Sequence, residues 1–317
     1  MPDRFEPDED AAFQRTLKAA IGCVGVGLHC GRRVALTLRP AEPETGIVFR
    51  RTDRSYDIPA RFDCVIDTRL STVLGAPDDA AARIGTVEHL MAALAAAGID
   101  NAVVELDGPE VPVLDGSAAP FLFLIDCAGI AVQDAPRRVV EVRRTVRVED
   151  GEAFAELRPA GADGGFALAV SIDFAAPAIG RQALSLPLSA GSFRQEIAGA
   201  RTFALAAEVE SLRAAGFARG GSLGNAVVVE GARVLNPEGL RMRDEFVRHK
   251  LLDVVGDLAL AGAVLRGRLV AHRPGHTLNN RLLRALFADA GAWREVVAHP
   301  GVRVPALAGW SAVPAAA

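Results

Sequence analysis

The chain has 317 residues, half of them hydrophobic, and a formal net charge of −4. This length allows one large domain or two ordinary ones, with enough apolar residues for a substantial core. The small charge and the absence of a basic stripe argue against a nucleic-acid partner, although local arginines can still hold a phosphate. The acidic start lacks a basic segment followed by an apolar one, so we expect no secretory signal.

The apolar segments and the cysteines favour a soluble, cytoplasmic protein without an integral membrane segment. The most apolar run, residues 251–265, contains two aspartates and is too short to span a bilayer. Cys23, Cys30, Cys64 and Cys127 form no C-x-x-C pair. We expect these cysteines to be reduced and to lie mostly in the core.

The first half of the chain reads as a polar tail followed by strands, a helix, a strand and a second helix. Residues 1–13 are the expected tail. Hydrophobic patterning predicts the following elements: strands at 34–39, 46–51 and 102–106, and helices at 86–97 and 119–128. Thr86 is the expected cap of the first helix and Gly98 its expected end.

The second half repeats this layout loosely, without a visible residue-level repeat. Its predicted elements are strands at 139–148, 153–157, 166–174 and 267–272, a hairpin at 226–235, and helical segments at 192–200, 208–215, 246–265 and 279–288. The pattern predicts an α+β fold with two layers in each domain. We expect an N-terminal domain at 14–136, a C-terminal domain at 137–300 and an Ala-rich tail at 301–317.

The 246–265 segment carries polar residues within an otherwise apolar helix. His249, Asp253 and Asp257 follow each other at i, i+4 and i+8, so they lie one above another on nearly the same face. An imidazole and a carboxylate at this spacing can bind one divalent metal together. A salt-bridged helix face is the simpler alternative, and the spacing alone leaves it open.

Two other histidines have informative neighbours. Glu88 and His89 stand in the first turn of the 86–97 helix, where one can be a base and the other a metal ligand, as in zinc hydrolases. A glutamate there also complements the helix dipole, which is the simpler alternative. His276 follows a Pro-Gly turn, so we expect it on a loop tip, free to act as an acid or base.

Taken together, these residues predict a catalytic zinc site. His89, His249 and Asp253 supply three ligands and leave a fourth position for water, whose pKa zinc lowers to about 7. Glu88 can then take the proton of that water. His276 can stabilise the oxyanion or protonate the leaving amine, with Asp257 orienting its ring.

Several blocks of the sequence resemble the signature blocks of the UDP-3-O-acyl-N-acetylglucosamine deacetylases, the zinc enzymes of lipid A synthesis in Gram-negative bacteria. The blocks are Thr86-Val87-Glu88-His89-Leu90, Asp115-Gly116-Ser117-Ala118-Ala119-Pro120-Phe121, Arg201-Thr202-Phe203, Arg248-His249-Lys250-Leu251-Leu252-Asp253 and Gly275-His276-Thr277-Leu278-Asn279-Asn280. They occur in the family's order. The resemblance extends from about Gln14 to about His299.

The resemblance implies two similar domains, each a two-layer sandwich of a sheet and two helices, with the active site between them. It implies zinc-dependent hydrolysis of the 2-acetamido group of UDP-3-O-acyl-N-acetylglucosamine, giving UDP-3-O-acyl-glucosamine and acetate, the committed step of lipid A synthesis. The partner would be this acylated UDP-sugar, bound by a monomer.

The resemblance also implies roles for individual residues. The three zinc ligands fall on His89, His249 and Asp253, the general base on Glu88, the catalytic histidine on His276, and its paired acid on Asp257. The substrate contacts fall on Thr202, which helps hold the carbonyl oxygen, on Lys250, and on Phe203 and the segment after Gly220, which line the acyl passage. Gly85 replaces a serine familiar in the family, at a position that is not catalytic.

Two other functions remain compatible with the residues. One is a different zinc amidohydrolase on the same scaffold, and the other is a non-catalytic protein that binds a nucleotide-sugar or a lipid. The preferred acyl length, zinc versus iron, the oligomeric state and regulated proteolysis through the C-terminal tail are left open by the sequence.

Overall fold

The computed structural model describes residues 12–76, 79–161 and 164–298. The expected tail at 301–317 therefore lies outside the described residues, and so does the expected tail at 1–13 apart from Ala12 and Phe13. Of these two, Phe13 already belongs to the first strand.

The first half contains ten strands, two α-helices and a short 3-10 helix (Phe62–Cys64) among the described residues. The strands are β1 (Phe13–Leu17), β2 (Ile21–Val26), β3 (Arg33–Pro40), β4 (Ile47–Arg51), β5 (Tyr56–Pro59), β6 (Val65–Asp67), β7 (Val73–Ala76), β8 (Asp79–Ile84), β9 (Ala102–Leu106) and β10 (Ile130–Pro136), and the helices are α1 (Glu88–Ala97) and α2 (Ala119–Ala128). The main sheet has the order β2-β3-β9-β4-β5, with smaller sheets formed by β6-β7-β8 and by β1-β10. Only the β4–β9 pair is parallel among these strand pairs.

The second half is built around one long strand. Its strands are β11 (Arg138–Val142), β12 (Val146–Asp150), β13 (Ala153–Arg158), β14 (Phe166–Asp173), β15 (Arg181–Leu188), β16 (Phe203–Leu205), β17 (Val227–Glu230), β18 (Arg233–Val234), β19 (Val264–His272) and β20 (Trp293–Val297), and its helices are α3 (Ala190–Ser192), α4 (Ala206–Ala214), α5 (Glu245–Ala259) and α6 (His276–Ala288). Strand β19 pairs with β13 along one edge and with both β14 and β11 along the other. Strands β16, β17 and β18 form a separate sheet.

The predicted α+β class is confirmed by these sheets and by the helices packed against them. Helix α2 lies against β2, α5 against β14 and β15, and α6 against β12 and β13. Within the described ranges, every ladder between named strands joins partners from the same side of the 136–138 boundary. This separation supports the division into two domains at Pro136, which stays a prediction.

Helices α1 and α5 pack against each other and join the two halves. Most of α1 is buried, which explains why its sequence is apolar and Ala-rich on nearly every face. Gly98 ends α1 in the left-handed conformation, with φ of 71°, as the sequence predicts. At the contact with α5, Gly256 lies against the backbone of Glu88, an approach that a side chain would block.

Some predicted boundaries are wrong for reasons that lie in tertiary contacts. Helix α5 ends at Ala259 rather than at residue 265, because Val264 and Leu265 pair with β11 as part of β19. Thr86 does not cap α1, since its hydroxyl donates instead to Glu110, 2.9 Å away. The 139–148 strand is two strands, and the 192–200 helix is the short α3 followed by a π-helical turn.

The structure also bears on the expected burial of the cysteines and on the expected lack of a membrane segment. All four cysteines are free, but one is exposed and the other three are partly exposed, so the expectation that they lie in the core is wrong. Within the described part of the chain, none of the helices has the length and apolar character needed to cross a membrane.

Candidate active site

Helices α1 and α5 bring three potential metal ligands together at their contact. His89 comes from the first turn of α1, and His249 and Asp253 come from successive turns of α5. One ligand atom from each lies within 4.8 Å of the others, and all three residues are buried. Oδ1 of Asp253 is 3.3 Å from Nε2 of His249 and 3.6 Å from Nε2 of His89.

The donor set fits a divalent metal. Oδ1 of Asp253 is buried and has no hydrogen-bond partner, although a buried carboxylate oxygen without a partner is costly. It faces two imidazole nitrogens, and two histidines with one carboxylate form a ligand set used by catalytic zinc sites. The structure therefore provides a position where a cation would satisfy an otherwise unpaired oxygen.

His249 is held in the form that a metal requires. Its Nδ1 donates to the carbonyl oxygen of Ala200, 3.1 Å away, so the lone pair on Nε2 is left for a metal. Burial lowers the pKa of His249 to about 3, which keeps the ring neutral near pH 7. Although burial alone would raise the pKa of Asp253, the nearby His249 and Lys250 hold it well below its ordinary value.

Glu88 stands beside the ligand cluster with one carboxylate oxygen held and the other facing His276. Oε2 accepts a hydrogen bond from the backbone N–H of Thr72, 3.0 Å away. Oε1 lies 3.7 Å from Nε2 of His276. Burial raises the pKa of the Glu88 carboxyl, which brings its basicity closer to that of a proton acceptor working near neutral pH.

His276 is the first residue of α6, so its predicted position on a free loop tip is wrong. Its side chain is only 11% exposed, and Nδ1 donates to Oδ2 of Asp257 at 2.8 Å. Burial disfavours the charged ring, but the carboxylates of Asp257 and Glu88 overcome this and raise the pKa of His276 to about 10. The ring is therefore an imidazolium near pH 7, suited to donate a proton.

Lys250 and Phe203 lie beside the proposed ligands Asp253 and His249. Nζ of Lys250 donates to Oδ2 of Asp253 at 2.9 Å and stands 5.5 Å from the centre of the Phe203 ring. The Phe203 ring is 6.1 Å from the His249 ring and also contacts Phe246. The Lys250 side chain is 22% exposed, so this edge of the site joins a cation to an aromatic surface within reach of solvent.

Thr202 follows the segment that holds His249. Its N–H donates to the Gly116 carbonyl and its own carbonyl accepts from the Val227 N–H, both at 2.8 Å. These bonds fix the backbone of Thr202 immediately before β16, two residues after the Ala200 carbonyl that orients His249. Thr202 is thus placed through its backbone.

A buried ion pair fixes this segment and was not found by sequence reasoning. Arg201 and Glu245 are both buried, and Glu245 accepts from the backbone N–H and from two guanidinium nitrogens of Arg201 at 2.8–3.1 Å. Glu245 is one helical turn before His249. The pair therefore ties the loop that orients His249 to the helix that carries it.

Sequence reasoning also did not identify two further residues of the site, Thr72 and Gly256. Thr72 precedes β7 in a stretch with no motif, and its side chain contacts Asp257 only through the fold. Gly256 offered a signal, because a glycine inside an apolar helix often marks a close approach of another backbone. The structure brings it against Glu88, at the centre of the site.

Comparison with known proteins gives consistent matches along most of the chain. The protein-family model described as UDP-3-O-acyl N-acetylglycosamine deacetylase matches residues 14–288. A protein of Acidithiobacillus ferrooxidans named UDP-3-O-acyl-N-acetylglucosamine deacetylase is 51% identical over 287 residues, covering 89% of this chain and 92% of the relative. Proteins of the same name are 52% identical in Phenylobacterium zucineum, covering 89% and 96%, and 48% identical in Idiomarina loihiensis, covering 94% and 97%.

Proposed function

The chain belongs to the UDP-3-O-acyl N-acetylglycosamine deacetylase family, and we propose that it removes acetate from the 2-acetamido group of UDP-3-O-acyl-N-acetylglucosamine in lipid A synthesis. The product would be the UDP-3-O-acyl-glucosamine with a free amine. We place the reaction in the cytoplasm, where nucleotide sugars are made. All proposed site residues come from one chain, so we propose that a monomer is sufficient.

One observation carries the proposal: a buried carboxylate oxygen of Asp253 without a hydrogen-bond partner faces two imidazoles, beside a buried glutamate and a charged histidine. We propose that His89, His249 and Asp253 hold zinc. A zinc ion held there would polarise the amide carbonyl and make water acidic enough to be activated near pH 7.

The other residues divide the proton transfers between them. Glu88 takes a proton from the attacking water on Oε1, because Oε2 is already engaged by Thr72. As the carbon–nitrogen bond breaks, His276 gives a proton to the leaving amine, and the other product, acetic acid, ionises to acetate on release. The proton held by Glu88 then recharges His276 for the next turnover. Asp257 keeps Nδ1 of His276 engaged, so the proton to be delivered is the one on Nε2.

The Thr202 hydroxyl is proposed to donate to the amide oxygen as negative charge develops there. Support for this role is the fixed backbone of Thr202 beside the segment that holds His249. Lys250 is proposed to meet a charged group of the substrate, since its ammonium lies at the exposed edge of the site. Phe203 is proposed to line the acyl passage with the segment after Gly220.

A deacetylase assay with four arms tests these proposals. Purified protein is given the acylated UDP-sugar or unacylated UDP-N-acetylglucosamine, each with and without a chelator. We expect acetate release from the acylated substrate only, about one bound metal per chain, and loss of turnover on chelation. Readdition of zinc or of ferrous iron then identifies which metal restores the rate.

Each other outcome has a defined meaning. Turnover of a different amide, with none of the acylated UDP-sugar, would replace this substrate and keep a metal amidohydrolase. Tight binding of the acylated UDP-sugar without acetate release would indicate a binding protein. Full activity in metal-free protein would refute the zinc mechanism.

A further inference from the structure

Thr72 touches both proton-transfer groups of the proposed active site. It is buried, and it lies directly before β7. Its backbone N–H donates to Oε2 of Glu88 at 3.0 Å, and its hydroxyl donates to Oδ1 of Asp257 at 2.5 Å. Its carbonyl accepts from the N–H of Val87, 3.3 Å away, at the start of α1. All three polar groups of Thr72 therefore point to the site or to the helix that carries it.

The hydroxyl completes the set of donors around Asp257. Oδ2 of this buried carboxylate already accepts from Nδ1 of His276 and from Nδ2 of Asn279, both at 2.8 Å. The hydroxyl of Thr72 holds the opposite oxygen, Oδ1. Donors on both oxygens fix the rotation of a carboxylate, so Oδ2 stays directed at the imidazole.

The backbone N–H of Thr72 fixes the orientation of the Glu88 carboxylate in the same way. By engaging Oε2, it leaves Oε1 directed at His276, with 3.7 Å between Oε1 and Nε2. The same residue thus orients the proposed base directly and the proposed acid through Asp257.

We propose that Thr72 is a positioning residue for the deacetylation, whose hydroxyl orients His276 through Asp257. This inference rests on the proposed function for its kinetic consequence, although the hydrogen-bond network itself does not. Without the hydroxyl, Oδ1 of Asp257 would be buried without a donor, which favours rotation of the carboxylate away from the ring. His276 would then lose the alignment of its Nε2–H with the leaving amine.

Thr72→Val is the direct test, because valine keeps the shape and the backbone N–H but removes the hydroxyl. We expect kcat to fall about tenfold to a hundredfold, the range for losing a hydrogen bond to a charged group. KM and metal content should stay unchanged, since the hydrogen bonds of Thr72 go to Glu88, Asp257 and Val87 and not to a proposed metal ligand. Thr72→Ser restores the hydroxyl and should recover most of the rate.

Thr16→Val provides a matched control away from the site. Thr16 is also a buried threonine, and its hydroxyl donates to the carbonyl of Asn101 at 2.7 Å. This variant should lose stability and keep its kcat. Should Thr72→Val be poorly folded, as judged by its denaturation curve, Thr72→Ala provides the second variant without a hydroxyl.

Two measurements distinguish orientation through Asp257 from a general loss of structure. In an Asp257→Asn background, Thr72→Val should change kcat by less than about twofold, because coupled residues are not additive. Independently of any substrate, the Nδ1–H proton resonance of His276 should shift or broaden in Thr72→Val and stay unchanged in Thr16→Val.

The results separate this inference from the proposed function. An inactive wild-type protein would refute the deacetylase proposal, while the altered His276 resonance would still support the positioning role. An active wild type with equal kcat in Thr72→Val, or an unchanged resonance, or full additivity with Asp257→Asn, would overturn the role of Thr72.

Discussion

Replacing Gly256 by alanine should disturb the contact on which the active site is built. A Cβ at this position would lie 2.7 Å from the carbonyl carbon of Glu88 and 2.9 Å from its Cα, and would overlap the carbonyl oxygen. Since carbon atoms pack at about 3.5 Å, relieving the contact with the carbonyl carbon alone would require α1 and α5 to separate locally by roughly 0.8 Å, and relieving the overlap with the carbonyl oxygen would require more. The obstacle is main chain, so no side-chain rotation relieves it.

The cost can be estimated from two opposing effects. Helix propensity favours alanine over glycine by about 0.8–1.0 kcal/mol, so an unobstructed substitution would stabilise the protein. Overpacking of a close contact costs about 1–3 kcal/mol and reverses the sign. The catalytic cost should be larger, because α1 carries His89 and α5 carries Asp253, and a 1 Å misplacement can lower a rate by about a hundredfold.

The assay compares Gly256→Ala with Gly191→Ala. Gly191 lies in α3, and the nearest atom to an added Cβ there is 3.8 Å away, so no overlap arises. We expect Gly256→Ala to lower the unfolding free energy, to weaken metal binding and to reduce kcat/KM by about ten- to a hundredfold. Gly191→Ala should lower neither the unfolding free energy, nor the metal affinity, nor kcat/KM. A Gly256→Ala protein as stable and as active as wild type would refute the close contact and its part in placing the ligands.

Four further outcomes follow from the site. Glu88→Gln should keep its metal and lose about 10²–10⁴-fold in turnover, and near-normal turnover would remove it as the base. His276→Ala should lose rate with its metal retained; departure of the metal on elemental analysis would make His276 a ligand instead. In metal-free protein, the pKa of His276 is raised to about 10 from 6.5. The charged ring therefore contributes its full stabilisation below pH 6.5 and loses it as the pH rises towards 10. Between about pH 6 and pH 10, the unfolding free energy measured by denaturation should fall less in His276→Ala than in wild type. Glu245→Gln should weaken metal binding, measured by chelator competition, because the Arg201 segment that orients His249 loses its buried charge partner.

The sequence predicted features that depend on local patterning. Helix α2 and strand β9 agree with the predicted ranges at both ends. The polar spacing along α5 placed His249, Asp253 and Asp257 on one helix, as observed. These features are local, because helical periodicity alone puts residues four apart on one face.

Features that depend on contacts across the fold were missed. The apolar run after Ala259 reads equally as buried helix or buried strand, and only its pairing with β11 decides between them. His276 starts a helix instead of lying on a loop tip, and its ring is hydrogen-bonded to Asp257, nineteen residues earlier. Thr72 reaches Asp257 across 185 positions of sequence, a separation over which periodicity carries no information.

The charges at the α1–α5 contact favour a cation at this site. The buried acids Glu88, Asp253 and Asp257 face two cations, Lys250 and the imidazolium of His276, so the formal sum is one negative charge. Buried charge of one sign is costly unless it is balanced. A divalent cation would change the sum to one positive charge, and an excess of that sign favours the negative charge that develops on an amide oxygen during hydrolysis. The same residues would thus make metal binding favourable for the folded protein and prepare the site for the proposed reaction.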